Sequence, residues 1–172
     1  MTGPYPVDHS CPAHRLEYLS SYEKRENKKI PGAGYLHDYA NLYFDAHNAM
    51  LSKLRKRNQE ICILRISPKV LDISGVIISD RNASSGYVRF DSVGTGLRSI
   101  DKDMLYSRYW THPEDIFLEW QHKSIKCAEA LVPDKVGREY IIGAYVINQE
   151  VGDYFERNKI DLQICVKSDI FF

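Results

Sequence analysis

Cys127-Ala128-Glu129-Ala130-Leu131-Val132-Pro133 is an apolar run interrupted by one carboxylate, and how that run is placed decides the fold. As a strand it puts Ala128 and Ala130 on one side and Glu129 on the other, because side chains alternate with a period of two. An edge strand would let Glu129 point at water. A buried strand would make it face a cleft or a partner, since an unpaired carboxylate in an apolar setting is unfavourable by several kcal/mol, about 2 to 7 even for a neutral polar group. In a cleft, the side chain is expected to contribute more to function than to packing.

Working outward, the segments on either side alternate irregularly between strand and helix signals. Tyr35 to Phe44 is aromatic-rich and strand-like, and Asn48 to Arg57 carries Met50, Leu51 and Leu54 at helical spacing with a basic end at Lys53, Arg55, Lys56 and Arg57. That basic end suits a helix C-terminus and equally a DNA backbone. Glu60 to Ile66, Gly75 to Ile78 and Gly86 to Phe90 are β-rich, while Gly94 and Gly96 mark a loop. Asp101 to Ser107 and Pro113 to His122 are expected helices, the second with proline at its first position. Ile125 to Val132, Tyr140 to Ile147 and Asp161 to Val166 supply three strands, with a helix over Gln149 to Asn158. Residues 1–34 are polar and broken by prolines and glycines, leaving room for a helix only from about Ala13 to Asn27. The order predicts one α+β domain, residues 1–172, around a mixed sheet rather than a doubly wound repeat.

Composition removes several classes. Lys plus Arg (23) equals Asp plus Glu (23), so no global field marks a nucleic-acid or membrane surface. The four cysteines, Cys11, Cys62, Cys127 and Cys165, are scattered and read as reduced thiols. No apolar run approaches the roughly 18 to 20 residues that cross a bilayer, and the polar opening lacks a secretory h-region, which predicts a cytoplasmic protein. The histidines lack zinc spacing, so no metal is expected. Walker, G-x-G-x-x-G and G-x-S-x-G sequences are absent, and nucleotide chemistry would need another kind of site.

Three segments together, Gly34-Tyr-Leu-His-Asp-Tyr-Ala-Asn-Leu-Tyr-Phe44 running into Asp45-Ala-His-Asn-Ala-Met-Leu51, Ser79-Asp-Arg-Asn-Ala-Ser-Ser-Gly86, and Ala128-Glu-Ala-Leu-Val-Pro133, resemble the DarT family over roughly residues 20–150. These are toxins of DarTG toxin–antitoxin systems that use NAD to ADP-ribosylate bases of single-stranded DNA. The resemblance implies an ADP-ribosyltransferase-like split mixed β-sheet with peripheral helices, NAD bound in the cleft between the halves, and a DarG-like macrodomain antitoxin as partner. It carries the catalytic glutamate onto Glu129 and places NAD against Tyr43, Phe44, Asn48, Met50 and Leu51. Arg81, Asn82, Ser84, Ser85, Tyr87 and Arg89 fall where the family has substrate-contacting loops; Arg81 and Arg89 would hold phosphates and Tyr87 would stack on a base. Without the resemblance, the same stretch reads equally well as a capped turn with surface arginines.

The chemistry suits a carboxylate. Leaving of nicotinamide builds oxocarbenium-like charge at the anomeric carbon, which a fixed carboxylate stabilises. A second group must then activate the attacking base, and His47 is the candidate. Here the chain departs from the family, which usually has an arginine followed by a small polar residue and Pro-Met. A histidine can serve as a base where an arginine cannot, and the change favours a shift of acceptor from thymine toward guanine, or else a loss of activity. A second departure is at the opening, where Asp8-His9-Ser10 poorly matches the family's His-x-Thr-His-like strand; either this segment is shortened or replaced, or NAD is bound differently. Loss of that strand would deprive Ile125 to Val132 of a neighbour. The alternatives are a catalytically degenerate module of the same fold that binds nucleic acid or protein, and a transferase directed at RNA or protein.

Overall fold

A computed structural model describes Arg25 and residues 27–172. Apart from Arg25 and Asn27, the expected helix from Ala13 to Asn27 lies outside the described residues, as do Asp8-His9-Ser10 and Cys11. The described residues form two sheets. The larger contains β1 (Tyr39–Tyr43), β5 (Glu129–Pro133), β3 (Ile77–Ser79) and β4 (Phe90–Ser92) in that spatial order, all pairs antiparallel. The smaller contains β2 (Ile63–Ile66), β6 (Ile141–Val146) and β7 (Ile164–Val166), with β2 antiparallel and β7 parallel to β6. This is the split mixed sheet expected from the resemblance.

The alternation read from Ala128 to Val132 explains how the larger sheet divides its faces. Ala128, Ala130 and Val132 enter a core with Ile78, Ile100, Leu105 and Ile125, against which Ala40, Leu42 and Phe44 pack. On the opposite face Leu131 joins Ile30, Leu36 and Ala83, with Tyr39, Ile77 and Phe90 packed against them. Glu129 shares this second face. Because β5 lies between β1 and β3, it is neither an edge strand nor short of a neighbour, and Glu129 is fully buried.

Short helices cover the sheets, and side-chain caps set their starts. Asn48 begins α1 (Ala49–Lys53) by accepting from the Met50 and Leu51 amides, and a 3-10 segment, Arg55–Glu60, continues it where one longer helix was expected. Asp101 caps α3 (Lys102–Tyr106). Asp115, not Pro113, begins α4 (Ile116–Ile125), so Ile125 belongs to a helix and the strand starts only at Glu129. Asn148 caps α5 (Gln149–Arg157). The expected strand over Gly86 to Phe90 instead starts at Phe90, because Ser84 and Ser85 are turn residues.

The largest difference from expectation is α2 (Val93–Ser99), which forms through Gly94 and Gly96 where a loop was predicted. A Cβ built on Gly96 would lie 2.4 Å from the Ile78 Cβ, so the glycine is there to let the helix approach β3, not to break the chain. Gly96→Ala is expected to lower the urea midpoint. Overpacking of about 1–3 kcal/mol, at its upper end for so short a contact, outweighs the helix-propensity gain of roughly 1 kcal/mol. An unchanged or raised midpoint would show that β3 yields freely.

Candidate functional site

Glu129 has no contact with solvent, yet both carboxylate oxygens are satisfied. Oε1 accepts from the Ala83 amide at 2.9 Å, while Oε2 accepts from Asn41 Nδ2 at 2.8 Å and from Arg25 Nη2 at 2.9 Å. Ser79 on β3 fixes the backbone: its hydroxyl accepts from the Glu129 amide at 3.1 Å and donates to the Glu129 carbonyl at 3.3 Å. The carboxylate is therefore preorganised by a neighbouring strand, a loop amide and a guanidinium whose side chain is 30% exposed. It is also a structural ion pair, so its contribution to packing is larger than the sequence suggested. Tyr43, the cross-strand partner of Glu129, has its phenol pushed above the ordinary tyrosine range by burial, then by the charges of Glu129 and Cys127, with Arg25 pulling the other way. It stays a neutral donor, 3.3 Å from Met50 Sδ.

A cavity of about 840 Å³ opens between the free side of β1, α1 and the β2–β6 face. That volume is within the range that takes a dinucleotide-sized ligand, about 300–1,000 Å³. All the residues expected to contact NAD, Tyr43, Phe44, Asn48, Met50 and Leu51, line it. Glu129 itself is not in the wall. It reaches the cavity through Asn41 and Tyr43, which are.

His47 is placed elsewhere in its contacts. Its Nδ1 donates to the Ile170 carbonyl at 2.7 Å, and its ring stacks on Phe172 with centroids 4.1 Å apart. Trp110 closes this cluster, edge-on to Phe172 at 5.6 Å and tilted against His47 at 5.8 Å. The structure thus ties His47 to the C-terminal segment and does not join it to the hydrogen bonds around Glu129.

The loop expected to meet DNA is a capped turn resting on an internal salt bridge. Arg81 Nη2 and Arg89 Nε pair with Asp80 at 3.0 and 3.2 Å, and the Arg89 side chain stays 66% exposed. Burial pushes the Asp80 carboxyl up, but the bonds from Arg81 and Arg89 outweigh it and hold the carboxyl below its ordinary value. Asn82 Oδ1 accepts from the Ser84 amide and hydroxyl, and the Ser85 hydroxyl accepts from the Tyr87 amide. This turn presents the Ala83 amide to Glu129 and leaves Tyr87 86% exposed.

Sequence reasoning missed Arg25, Asn41, Ser79 and, most of all, Lys126. Lys126 is fully buried; its ammonium donates to the Asp45 carboxylate and, at 2.8 Å each, to the Leu105 and Ser107 carbonyls. Asp45 in turn accepts from the His47 amide at 3.0 Å, and its carbonyl accepts from Asn48 Nδ2 at 2.8 Å. The signal was available, since Lys126 stands directly before the apolar run whose glutamate was singled out. Cys62, Cys127 and Cys165 are free thiols, and burial pushes those of Cys62 and Cys127 up, away from reactivity. Among the described residues no group of three or more His, Cys, Asp or Glu is placed to hold a metal ion, and no helix is long and apolar enough to cross a membrane.

The described residues thus combine two split sheets, a cavity of dinucleotide size and a buried glutamate one strand away from it. Solved structures share this fold: a Thermus sp. 2.9 DarT in complex with ADP-ribosylated ssDNA has a TM-score of 0.78 at 22% identity, covering 90% of this chain and 79% of its own. The same protein in complex with NAD+ has a TM-score of 0.73 at 22% identity, covering 87% and 81%. The chain belongs to the DarT family, described as ssDNA thymidine ADP-ribosyltransferase, whose sequence profile matches residues 7–172, a longer span than the three segments alone suggested. A DNA ADP-ribosyl transferase–DNA ADP-ribosyl glycohydrolase fusion protein of Thermosipho africanus is 26% identical over 158 residues, 87% of this chain. The chain spans 38% of that relative's length.

Removing the Lys126 charge would strand Asp45 in a largely buried site. Lys126→Met is expected to reduce unfolding free energy by about 3 kcal/mol or more, and Asp45→Asn on top of it to recover part of the loss. Strictly additive losses in a urea-denaturation cycle would show that the pair is not coupled.

Proposed function

We propose that this protein transfers ADP-ribose from NAD to a base of single-stranded DNA, with Glu129 as the catalytic carboxylate. The observation that carries this reading is a carboxylate fixed at both oxygens beside a cavity sized for a dinucleotide. Family membership supplies the reaction class. In the reaction the nicotinamide nitrogen leaves with the glycosidic electron pair and needs no proton. Positive charge spreads over the anomeric carbon and ring oxygen, and Glu129 opposes it. A base nitrogen then bonds to the anomeric carbon and loses its proton. Oε2 is shared between Asn41 and the partly exposed Arg25, so a ribose hydroxyl donating there in place of Arg25 would bring the sugar to the carboxylate. Duplex stacking hides base edges, which makes single-stranded or melted DNA the substrate.

His47 is assigned the proton traffic of the second step. With Nδ1 given to Ile170, Nε2 is the nitrogen left for it. The family description names thymidine as acceptor. The histidine is the one ground for guanine instead, since an imidazole nitrogen can accept a proton from an exocyclic amine and a guanidinium cannot. Such an activity is toxic to its host, and a DarG-like macrodomain antitoxin that reverses it is the fitting partner; the Thermosipho africanus relative carries a DNA ADP-ribosyl glycohydrolase in the same chain. A second reading, a degenerate module that binds nucleic acid without turnover, draws on the Arg25–Glu129 pair and on the fastening of His47 to the C-terminal segment.

Mixed-sequence single-stranded oligonucleotides incubated with NAD are expected to gain the mass of one ADP-ribose with the wild-type protein and none with Glu129→Gln, which keeps the side chain's volume and one acceptor. Fragmentation of the product names the base. Intact NAD and unmodified DNA with wild-type protein would favour the binding module. For His47→Ala, kcat is expected to fall at least tenfold with NAD affinity nearly unchanged, and equal losses in both would reassign His47 to holding the dinucleotide.

A further inference from the structure

We propose that Arg65 holds the pyrophosphate of the dinucleotide, an assignment that rests on reading the 840 Å³ cavity as the NAD site. Two charged residues, Asp45 and Arg65, stand among those that line it. Asp45 is neutralised by Lys126, which leaves Arg65, among the described residues, as the uncompensated charge in a wall that is otherwise mostly apolar. Among the described residues no carboxylate pairs with it. Its Nη1 makes only long contacts, 3.4 Å to Gln163 Oε1 and 3.7 Å to Cys165 Sγ. A half-buried guanidinium with such weak partners contributes little to stability, because its desolvation is not offset.

The local backbone is shaped to hold this group. The β2–β6 register shifts between Arg65 and Ile66, an irregularity of the kind that re-aims a side chain beside a site. Directly across from Arg65 is Gly143, with a φ of +154 that few residues with a side chain adopt. A Cβ on Gly143 would come within 2.5 Å of the Gln163 carbonyl oxygen and 3.3 Å of Arg65 Nη1. The glycine therefore clears the path along which the guanidinium crosses the strand. Beyond it the guanidinium carbon lies 5.1 Å from the centroid of Tyr145, another residue of the cavity wall. Contact with the Tyr145 ring holds the guanidinium at this wall while leaving its N–H groups to donate. A planar, unneutralised fork matches two phosphate oxygens, and the pyrophosphate is the part of NAD that carries such oxygens.

The test compares ligands with and without the diphosphate. By calorimetry, Arg65→Gln is expected to weaken NAD and ADP-ribose by about 10- to 100-fold, and to leave adenosine, followed by ligand-observed NMR, unchanged. Arg65→Lys should restore part of the affinity, since it keeps the charge and loses the fork. An unchanged urea midpoint will show that Arg65→Gln folds normally. Unaltered NAD affinity in Arg65→Gln, or an equal loss for adenosine, overturns the assignment while leaving the transferase reading intact. Failure of the wild-type protein to bind NAD or ADP-ribose overturns both, and the wild-type titration alone separates that case from the others.

Discussion

The buried ammonium of Lys126 ties the junction of β1 and β5, which the strand ladder already brings together, to the end of α3. It sits where α4 gives way to β5 and takes its acceptors from the turn after β1 and from the carbonyls that end α3. All three of its protons are used, which is the condition under which a fully buried lysine is tolerated. Trp110 covers it, 5.8 Å from ring centroid to nitrogen, and the same ring backs His47 and Phe172. One cation therefore connects the strand that carries Glu129 to the turn that carries Asp45, His47 and Asn48. Hydrophobic burial gives the core its cohesion, but it is not directional; the turn is placed by charge-assisted hydrogen bonds.

Glu129 shows the complementary solution for a buried anion. Its donors come from β1, from the loop after β3 and from Arg25, so the carboxylate is a junction between elements as well as a chemical group. Such a group is stiff. A carboxylate with fixed donors need not reorganise when positive charge forms nearby, and the same donors limit its reach. The guanidinium is the adjustable member, a long side chain that is 30% exposed, whereas Asn41 is held in the β1–β5 ladder and the Ala83 amide by the turn built on Asn82.

What the sequence made legible follows from the range of the interactions involved. The alternation around Glu129 was readable because it depends on neighbours in sequence, whereas the division into two sheets came only with the family resemblance and the side chains that cap the short helices were not read. Gly96 was misread since a glycine required for close approach to Ile78 looks locally the same as one that breaks a helix. That Asp80 is only 4% exposed and pairs with both Arg81 and Arg89 is not visible in the local sequence. Asn41 and Arg25 reach Glu129 across 88 and 104 residues of chain, a separation at which pattern carries no information. His47 was legible as an anomaly but not in its setting, since its contacts come from the last residues of the chain.

The division of polar groups around the cavity bears on how a nucleotide would be ordered within it. Among the described residues β1 is the outer strand of its sheet, and its residues Asn41 to Tyr43 line the cavity. On the far wall, β2 and β6 offer apolar side chains with Arg65 set among them. A ligand with two sugars joined by charged phosphates is polar at both ends of its diphosphate and anionic in the middle. Fixing the middle at one wall and the sugar next to nicotinamide at Asn41 and Glu129 would constrain both ends of the reacting half without any residue gripping the departing ring. That arrangement suits a reaction in which the ring must leave and the anomeric carbon must stay, because binding energy from the remote diphosphate is then available to position the carbon at which the bond breaks.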